Sequence, residues 1–226
     1  MTGASTSLDM STELCKVAER AKREPAGRFH SLAHLIDVEL LAEAFARLRN
    51  DAAVGVDGIT KEHYVQELES KLKDLHERLW AKRYRHQPIQ RVHIPKENGR
   101  TRPIGISTIE DKVVHNALRT VLESVYEQDF LDCSYGFRPG RSAHDAVRAL
   151  SRAVDVGKAN WILEFDIASF SDNVFRSHLS QMLQRRVADG SMLRLAANVC
   201  MWGCWTVRCS LSRPWVRFKV RPCRRC

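Results

Sequence analysis

An aspartate at the end of an apolar strand is the residue of this chain whose position most directly suggests chemistry. Residues 160–167 read NWILEFDI and alternate in polarity, which predicts a strand that carries Asp166 near its end. A carboxylate at a strand end can hold a divalent metal in a cleft, and two-metal phosphoryl transfer needs such hard oxygen ligands. The alternative is that Asp166 caps the turn that follows.

Basic residues surround a predicted hairpin turn upstream of that strand. Residues 90–94 and 101–106 predict two strands joined by a tight Asn-Gly turn, with Lys96 and Arg102 on either side of it. Lysine and arginine supply charge-assisted hydrogen-bond donors, so such a hairpin could hold a triphosphate. A solvated hairpin tip is the alternative.

A loop rich in glycine and proline combines aromatic and basic side chains. Residues 133–141 read CSYGFRPGR and contain Tyr135, Phe137, Arg138 and Arg141. Aromatic rings stack on bases and arginines hold phosphates, so the loop could contact a nucleic acid. In the alternative, Tyr135 and Phe137 are hydrophobic anchors of a packed loop.

These segments, in this order, resemble the reverse transcriptases encoded by group II introns, which are multifunctional reverse transcriptase/maturases. The similarity runs from about residue 29 to about residue 199. The strings that carry it are HLIDVELL, GVDGIT, RVHIPKENGRTRPIGI, TIEDKVVHNAL, VYEQDFLDCSYGFRPGRSAHDAV and LEFDIASFSDN. Of these, SYGFRPGRSAHDA is highly specific to that family.

The resemblance implies an α+β fold of the right-hand polymerase type, of which this chain holds the fingers and part of the palm. It implies an RNA-directed DNA polymerase involved in intron mobility and splicing. The partners so implied are intron or template RNA, a DNA primer and deoxynucleoside triphosphates, with Mg²⁺ as cofactor.

The resemblance also assigns roles to individual residues. Asp166 matches the first catalytic palm carboxylate, and the Ile167 carbonyl is a second ligand of the same metal ion. Lys96 and Arg102 match the fingers cations that meet the incoming triphosphate, and Ile167 and Phe170 belong to the nucleotide site. The nucleic-acid contacts would come from Tyr135, Phe137, Arg138 and Arg141, which line the template side of the cleft.

Two departures from the family pattern follow Asp166. Ala168 or Ser169 stands where the family has a basic residue, and Ser171 replaces an aromatic that excludes a 2′-hydroxyl, so sugar selection is in doubt. The family's later Tyr-x-Asp-Asp pair has no counterpart, since residues 173–226 contain one acid, Asp189. The chain is therefore expected to be catalytically incomplete, and a non-catalytic protein that binds intron RNA is the alternative function.

Residues 201–226 are predicted to be out of frame. They contain four of the seven cysteines and no acid, and they show no clear helical or strand period. Back-translation read two nucleotides further on permits Gly-Thr-x-Gln-Gly-Ser-x-x-Ser-Pro-Leu, a string similar to what the family carries after its first palm strand. A zinc site is the alternative and would use Cys204, Cys209, Cys223 and Cys226, although the first pair is spaced more widely than usual.

The remaining pattern predicts the elements that position these residues. We expect a loosely held polar arm over 1–30, fingers over 31–160, the start of a palm over 161–200, and the tail. Amphipathic periodicity predicts helices over 33–49, 62–80, 110–128, 143–155 and 175–188, with Ser142 as the N-cap of the fourth. Without later palm strands, strand 160–167 is expected to expose an unpaired edge together with Trp161 and Phe165.

Composition sets broader limits. The net charge of +9 suggests a polyanionic partner, but seven of those charges lie in 201–226, which leaves +2 for the rest of the chain. With 44% hydrophobic residues the chain can bury a core. An odd number of cysteines without a secretory signal argues against a disulfide framework, and with no apolar run long enough to span a bilayer a cytoplasmic location is expected.

Overall fold

A computed structural model describes residues 12–95, 101–157, 161–167, 175–203 and 216–222. Its elements are α1 (Thr12–Arg23), a 3₁₀ turn (Ala33–Leu35), α2 (Val38–Ala46), α3 (Lys61–Val65), α4 (Leu68–Trp80), β1 (Gln90–Pro95), β2 (Thr101–Ile106), α5 (Ile109–Tyr126), α6 (Ala143–Gly157), β3 (Trp161–Ile167), α7 (Arg176–Gln184), α8 (Gly190–Gly203) and β4 (Val216–Pro222). The strands form two separate antiparallel pairs, β1–β2 and β3–β4. The expected α+β class is confirmed. None of the helices in these ranges is both long enough and apolar enough to span a bilayer.

Helix α5 is the centre of the core. It packs against α1 and α2, and α2 in turn packs against α4. The fully buried apolar positions on α5 follow helical spacing and are Ile109, Val113, Val114, Ala117, Val121 and Val125. Burial of a valine or isoleucine side chain contributes about 1.5–3 kcal/mol, so this helix holds the surrounding elements to one another.

A buried carboxylate fixes the start of α5. Asp111 is 0% exposed and accepts hydrogen bonds from the Thr108 hydroxyl at 2.7 Å and the Tyr84 hydroxyl at 2.6 Å. The Gln87 N–H donates to the same carboxylate at 3.2 Å. Burial, reinforced by the charge of Asp111, raises the pKa of Tyr84. The segment between α4 and β1 is therefore tied to the N-terminus of α5.

Residues 54–60 form a glycine-containing turn segment that rests on the same helix end. A Cβ on Gly55 would lie 2.7 Å from backbone atoms of Thr108, so only glycine permits this approach without a shift. Gly58 has a φ of +70°, in the left-handed region that favours glycine. The two glycines of the GVDG string thus serve packing and turn geometry respectively.

The expectation of a loosely held arm over 1–30 is wrong for residues 12–30. Helix α1 occupies Thr12–Arg23, and both Leu14 and Ala21 are buried. Phe29 is 4% exposed, and it pairs with Val187 in a parallel β-bridge. Residues 1–11 lie outside the described residues.

Residues 186–189, which we call the clasp, bind this N-terminal segment. The Arg186 guanidinium donates to three backbone carbonyls, those of Ala21, Glu24 and Gly27, and its Nε lies 2.9 Å from Asp129 Oδ2. Asp189 accepts four backbone N–H bonds: those of Leu32 and Ala33 at 2.7 and 2.8 Å, and those of Ser191 and Met192 at 2.8 and 3.2 Å. One carboxylate therefore caps α8 and anchors the 3₁₀ turn.

The other differences from the predicted elements lie at helix ends and in the tail. The helix predicted over 62–80 is broken between Val65 and Leu68, and the one predicted over 175–188 ends at Gln184. In the tail, residues 216–222 form a strand that pairs with β3 along its whole length. Strand 160–167 was expected to expose an unpaired edge. Because β4 pairs with one edge of this strand, the expectation is wrong for that edge.

We expect Asp189→Ala to lower the free energy of unfolding by about 3 kcal/mol at pH 7, because it leaves four backbone N–H groups without their acceptor. Asp155→Ala, which removes an exposed acid, is the matched control. Urea denaturation measures both, and equal stability of the two variants would contradict the anchoring role.

The same variant has a defined pH dependence. Burial by itself raises the pKa of Asp189, but the N–H donors of Leu32, Ala33, Met192 and Ser191 outweigh it and the pKa is lowered. A depressed pKa stabilises the fold above the unfolded value of about 3.9, and this contribution is lost as pH falls. The stability difference from wild type should therefore shrink between pH 7 and pH 3.

Candidate functional site

Strand β3 presents Asp166 to solvent. Its Cα faces that of Arg217 on β4 in the antiparallel register, and its side chain is exposed. Among the side chains that the structure describes, none forms a hydrogen bond or an ion pair with the Asp166 carboxylate, in contrast to the carboxylates of Asp111 and Asp189. Such a carboxylate is free to serve as an oxygen ligand. No cluster of three or more His, Cys, Asp or Glu side chains suited to a metal ion occurs in the described ranges.

Neighbouring positions of the predicted metal and nucleotide site are only partly described. Ile167 is the last residue of β3, and its backbone pairs with Val216. Phe170 lies outside the described residues. On the same strand, Trp161 and Phe165 are exposed, as the sequence predicted. The β3–β4 pair therefore carries Asp166 on one face and exposed apolar side chains on the other.

The predicted basic hairpin is confirmed in its strands. β1 and β2 are in register with Ile94 opposite Arg102 and Pro95 opposite Thr101. Lys96 and the turn lie outside the described residues. Arg102 therefore lies one residue pair away from the turn end of the hairpin, where the sequence predicts the triphosphate contact.

Arg138 holds the Gly/Pro loop in shape. Its side chain is 7% exposed, and Nε and Nη2 donate to Glu127 Oε1 at 2.9 and 2.6 Å. Nη1 donates to the carbonyls of Leu131 and Ser134 at 2.8 and 2.9 Å. The hydrogen bond to Glu127 raises the pKa of the guanidinium. A contact between Arg138 and nucleic acid stays a prediction, whereas its contacts within the loop are defined.

Phe137 is the residue that this scaffold presents. It has a φ of +59° and is 103% exposed. A bulky residue at positive φ is strained, and such strain concentrates at functional positions. Tyr135 instead lies beneath the Arg141 guanidinium at 5.4 Å, and Arg141 also donates to the Asp132 carbonyl and carboxylate at 3.0 and 3.2 Å.

Two arginines of α6 extend the loop surface, and sequence reasoning missed both. A groove of about 360 Å³ lies between the loop and α6, and Tyr135, Arg141, Arg148 and Arg152 contribute to its lining. The helix begins with the predicted cap, in which the Ser142 hydroxyl accepts from the Asp145 N–H at 3.2 Å. In return the Ser142 hydroxyl and N–H donate to the Asp145 carboxylate, and the hydroxyl bond lowers the pKa of that carboxyl. The i,i+4 spacing of Arg148 and Arg152 was the signal that could have found them.

The structure thus brings together the four predicted loop residues but does not join them to the two hairpins. Among the described residues, no ion pair connects the loop with β1–β2 or β3–β4. Strand β1 contacts mainly β2, and strand β3 contacts mainly β4. The loop is therefore a separate basic and aromatic surface, and Asp166 lies on the β3–β4 strand pair.

Comparisons with known proteins agree on one family. Residues 94–219 match the family described as reverse transcriptase (RNA-dependent DNA polymerase). Protein YkfC of Escherichia coli (strain K12) is 36% identical over 188 residues, which cover 80% of this chain and 49% of YkfC. The group II intron-encoded protein LtrA of Lactococcus lactis subsp. cremoris is 33% identical over 163 residues, which cover 72% of this chain and 27% of LtrA.

A shorter match points in the same direction. Nuclear intron maturase 1, mitochondrial, of Arabidopsis thaliana is 35% identical over 86 residues, which cover 38% of this chain and 12% of the maturase. The chain spans about half the length of YkfC and about a quarter of LtrA.

Arg138→Ala is expected to loosen the loop, because Glu127 and two backbone carbonyls lose their shared donor. The result should be severalfold faster proteolytic cleavage within 131–141, read by mass spectrometry of timed digests. Arg138→Lys should restore little, since one ammonium lacks the planar fork that meets three acceptors. Arg148→Ala, on the exposed face of α6, is the control, and cleavage of Arg138→Ala at the control rate would refute the anchoring role.

Proposed function

The chain belongs to the reverse transcriptase family, and from this premise we propose that it forms the fingers and the start of the palm of a right-hand RNA-directed DNA polymerase of the group II intron type. The observation that carries the proposal is the family match over 94–219, which contains the turn end of the basic hairpin with Lys96 and Arg102, the loop around Phe137 and the strand of Asp166. The relatives named for group II introns and intron maturation support a role in intron mobility and splicing.

Asp166 and the end of β3 are the proposed metal and nucleotide side of the site. Reverse transcriptases generally use divalent metal ions, and we propose Mg²⁺ here. The exposed carboxylate of Asp166 fits such an ion, and the Ile167 carbonyl is the proposed second ligand. When bound, the ion supplies charge stabilisation for phosphoryl transfer. Lys96 and Arg102 bind the triphosphate of the deoxynucleotide, with Ile167 and Phe170 next to it.

The loop and α6 are the proposed nucleic-acid side. Phe137 offers an exposed ring on which a base can stack, and Arg152 is exposed on the adjoining groove. Arg141 keeps Tyr135 covered on one face and also adds charge to this groove. Arg138 acts as a positioning residue, since its donors are spent on the loop itself. Template RNA and the DNA primer are the proposed occupants.

A second function needs only this surface. A protein that binds intron RNA without polymerising would keep the loop and the groove and dispense with Asp166. The similarity to a protein named an intron maturase favours keeping this possibility beside the first. The two differ in whether Asp166 is required.

We expect Asp166→Ala to abolish primer extension on an RNA template in a protein whose reading frame also carries the family's later Tyr-x-Asp-Asp segment. The metal loses a carboxylate ligand, whereas RNA binding through the loop persists. Glu164→Ala, two positions earlier on β3, is the control. Wild-type extension by Asp166→Ala would refute the assignment, and extension absent from every version, with RNA binding intact, would favour the second function.

The 226-residue chain by itself is expected to bind RNA without extending a primer. Two-metal transfer needs enough carboxylate to hold both ions against their mutual repulsion, and Asp166 alone is insufficient. Binding should weaken steeply as salt rises, because counterions are released from the RNA.

Lys96→Ala and Arg102→Ala should each raise the KM for deoxynucleotides about tenfold or more in the same polymerising protein. Loss of a charge-assisted hydrogen bond costs about 1.5–3 kcal/mol. Steady-state extension at varied nucleotide concentration measures this, with Arg91→Ala on β1 as the charge-matched control. If KM were unchanged in both variants, the hairpin would be a solvated tip.

A further inference from the structure

A cavity that no residue of the loop or of the paired strands lines differs in its lining from the apolar core. Its volume is about 460 Å³, and its walls come from residues 30–36, the end of α4, the turn after it and the start of α8. The polar, basic and aromatic members of the lining include His34, His76, Trp80, Lys82, Arg194 and Asn198. None of the proposed polymerase residues contributes to it.

An exposed indole stands at this cavity. Trp80 is 69% exposed at the last position of α4, and its ring stacks with that of His76 one turn earlier, at a centroid distance of 6.2 Å. A tryptophan left outside a core that buries smaller side chains is a costly exposure of apolar surface. An aromatic face open to solvent is the feature that nucleobases use when they stack on proteins.

Unpaired cations accompany this ring. Within the described residues neither Lys82 nor Arg194 has a carboxylate partner, and Arg194 donates only to the Lys82 carbonyl at 3.3 Å. Lys82 has a φ of +59° and is followed by Arg83 and Arg85, with no acid between residues 81 and 90. Among the described residues, no carboxylate therefore neutralises the positive charges of Lys82 and Arg194.

The one carboxylate of the lining is already satisfied. Asp189 is 8% exposed, and both of its oxygens accept backbone N–H bonds. Asn198 donates to the Tyr84 carbonyl at 2.9 Å, which fixes the wall formed by the turn after α4. The site that remains is a preorganised aromatic and cationic pocket large enough for one nucleotide.

We propose that this pocket binds one unpaired nucleotide of a single-stranded RNA, with the base stacked on Trp80 and the phosphate bound by Lys82 and Arg194. The proposal rests on the proposed RNA-binding function and adds a second contact point on the helical body. An acidic peptide could satisfy the cations alone, but it offers no planar base for the indole.

The test measures binding of a fluorescently labelled, unstructured 12-nucleotide RNA by the 226-residue chain. Trp80→Ala should raise the Kd about fivefold or more, as loss of a stacked base does, whereas Trp80→Phe should retain most of the affinity. An oligonucleotide of the same length without bases should bind both variants and wild type alike. Thermal unfolding confirms that the exposed substitutions leave the fold intact.

A second variant tests the phosphate contact. Arg194→Ala should lower the slope of log Kd against log salt by roughly 0.7, the value for one phosphate contact on a single strand. Lys73→Ala removes an exposed cation from the outer face of α4 and should leave the slope unchanged, since Lys73 pairs with Glu69.

Outcomes separate this pocket from the polymerase proposal. Equal Kd values for wild type, Trp80→Ala and Lys73→Ala would overturn the pocket even if primer extension depends on Asp166. A second outcome would also overturn the pocket. In it, an acidic peptide displaces the labelled RNA as well as unlabelled RNA does, and Trp80→Ala also weakens binding of the oligonucleotide without bases. Loss of affinity confined to base-containing RNA would support it, even if the polymerase proposal failed.

Discussion

The structure depends above all on the clasp, residues 186–189, which joins the N-terminal segment to the last helices. Two charged side chains do most of this work by saturating backbone groups that would otherwise lie buried without partners. An unsatisfied buried backbone group costs about 1–3 kcal/mol, so Arg186 and Asp189 determine whether α1 and the 3₁₀ turn can pack at all. Asp189 of the clasp also lines the cavity beside Trp80.

The described part of the molecule consists of helices that share a buried core and of two exposed strand pairs. Helix α5 buries almost all of its apolar side chains, whereas β3 leaves Trp161, Leu163 and Phe165 exposed. A two-stranded sheet is marginally stable in water without a face to pack on. An exposed apolar strip of this kind marks a surface for contact with further protein or with nucleic acid.

Four arginines of this chain serve two contrasting purposes that composition does not distinguish. Arg138 and Arg186 are buried and spend their donors on backbone carbonyls and a carboxylate, so they shape the protein. Arg152 and Arg194 are exposed beside grooves and have no carboxylate partner among the described residues. Since the guanidinium supplies five donors in a fixed fork, the same residue type suits either use, and burial decides which one applies.

The sequence by itself determined the family, the α+β class and most elements, because those follow from local patterns. Helix α5, the β1–β2 hairpin, strand β3 and the Ser142 cap were predicted from periodicity of 3.6 or 2 and from capping chemistry. The four loop residues were also identified as one group. The individual roles of these loop residues remain predictions. So do the role of Asp166 as a metal ligand and the binding of the triphosphate by Lys96 and Arg102.

Only the tertiary structure decided what depends on residues far apart in the chain. Asp189 bonds the N–H of Leu32 across more than 150 positions, and no local pattern signals such a bond. The order of the segment around α1 and the cavity at Trp80 have the same origin. Periodicity records which side of an element is apolar, whereas the partner that each polar group finds is set by long-range packing.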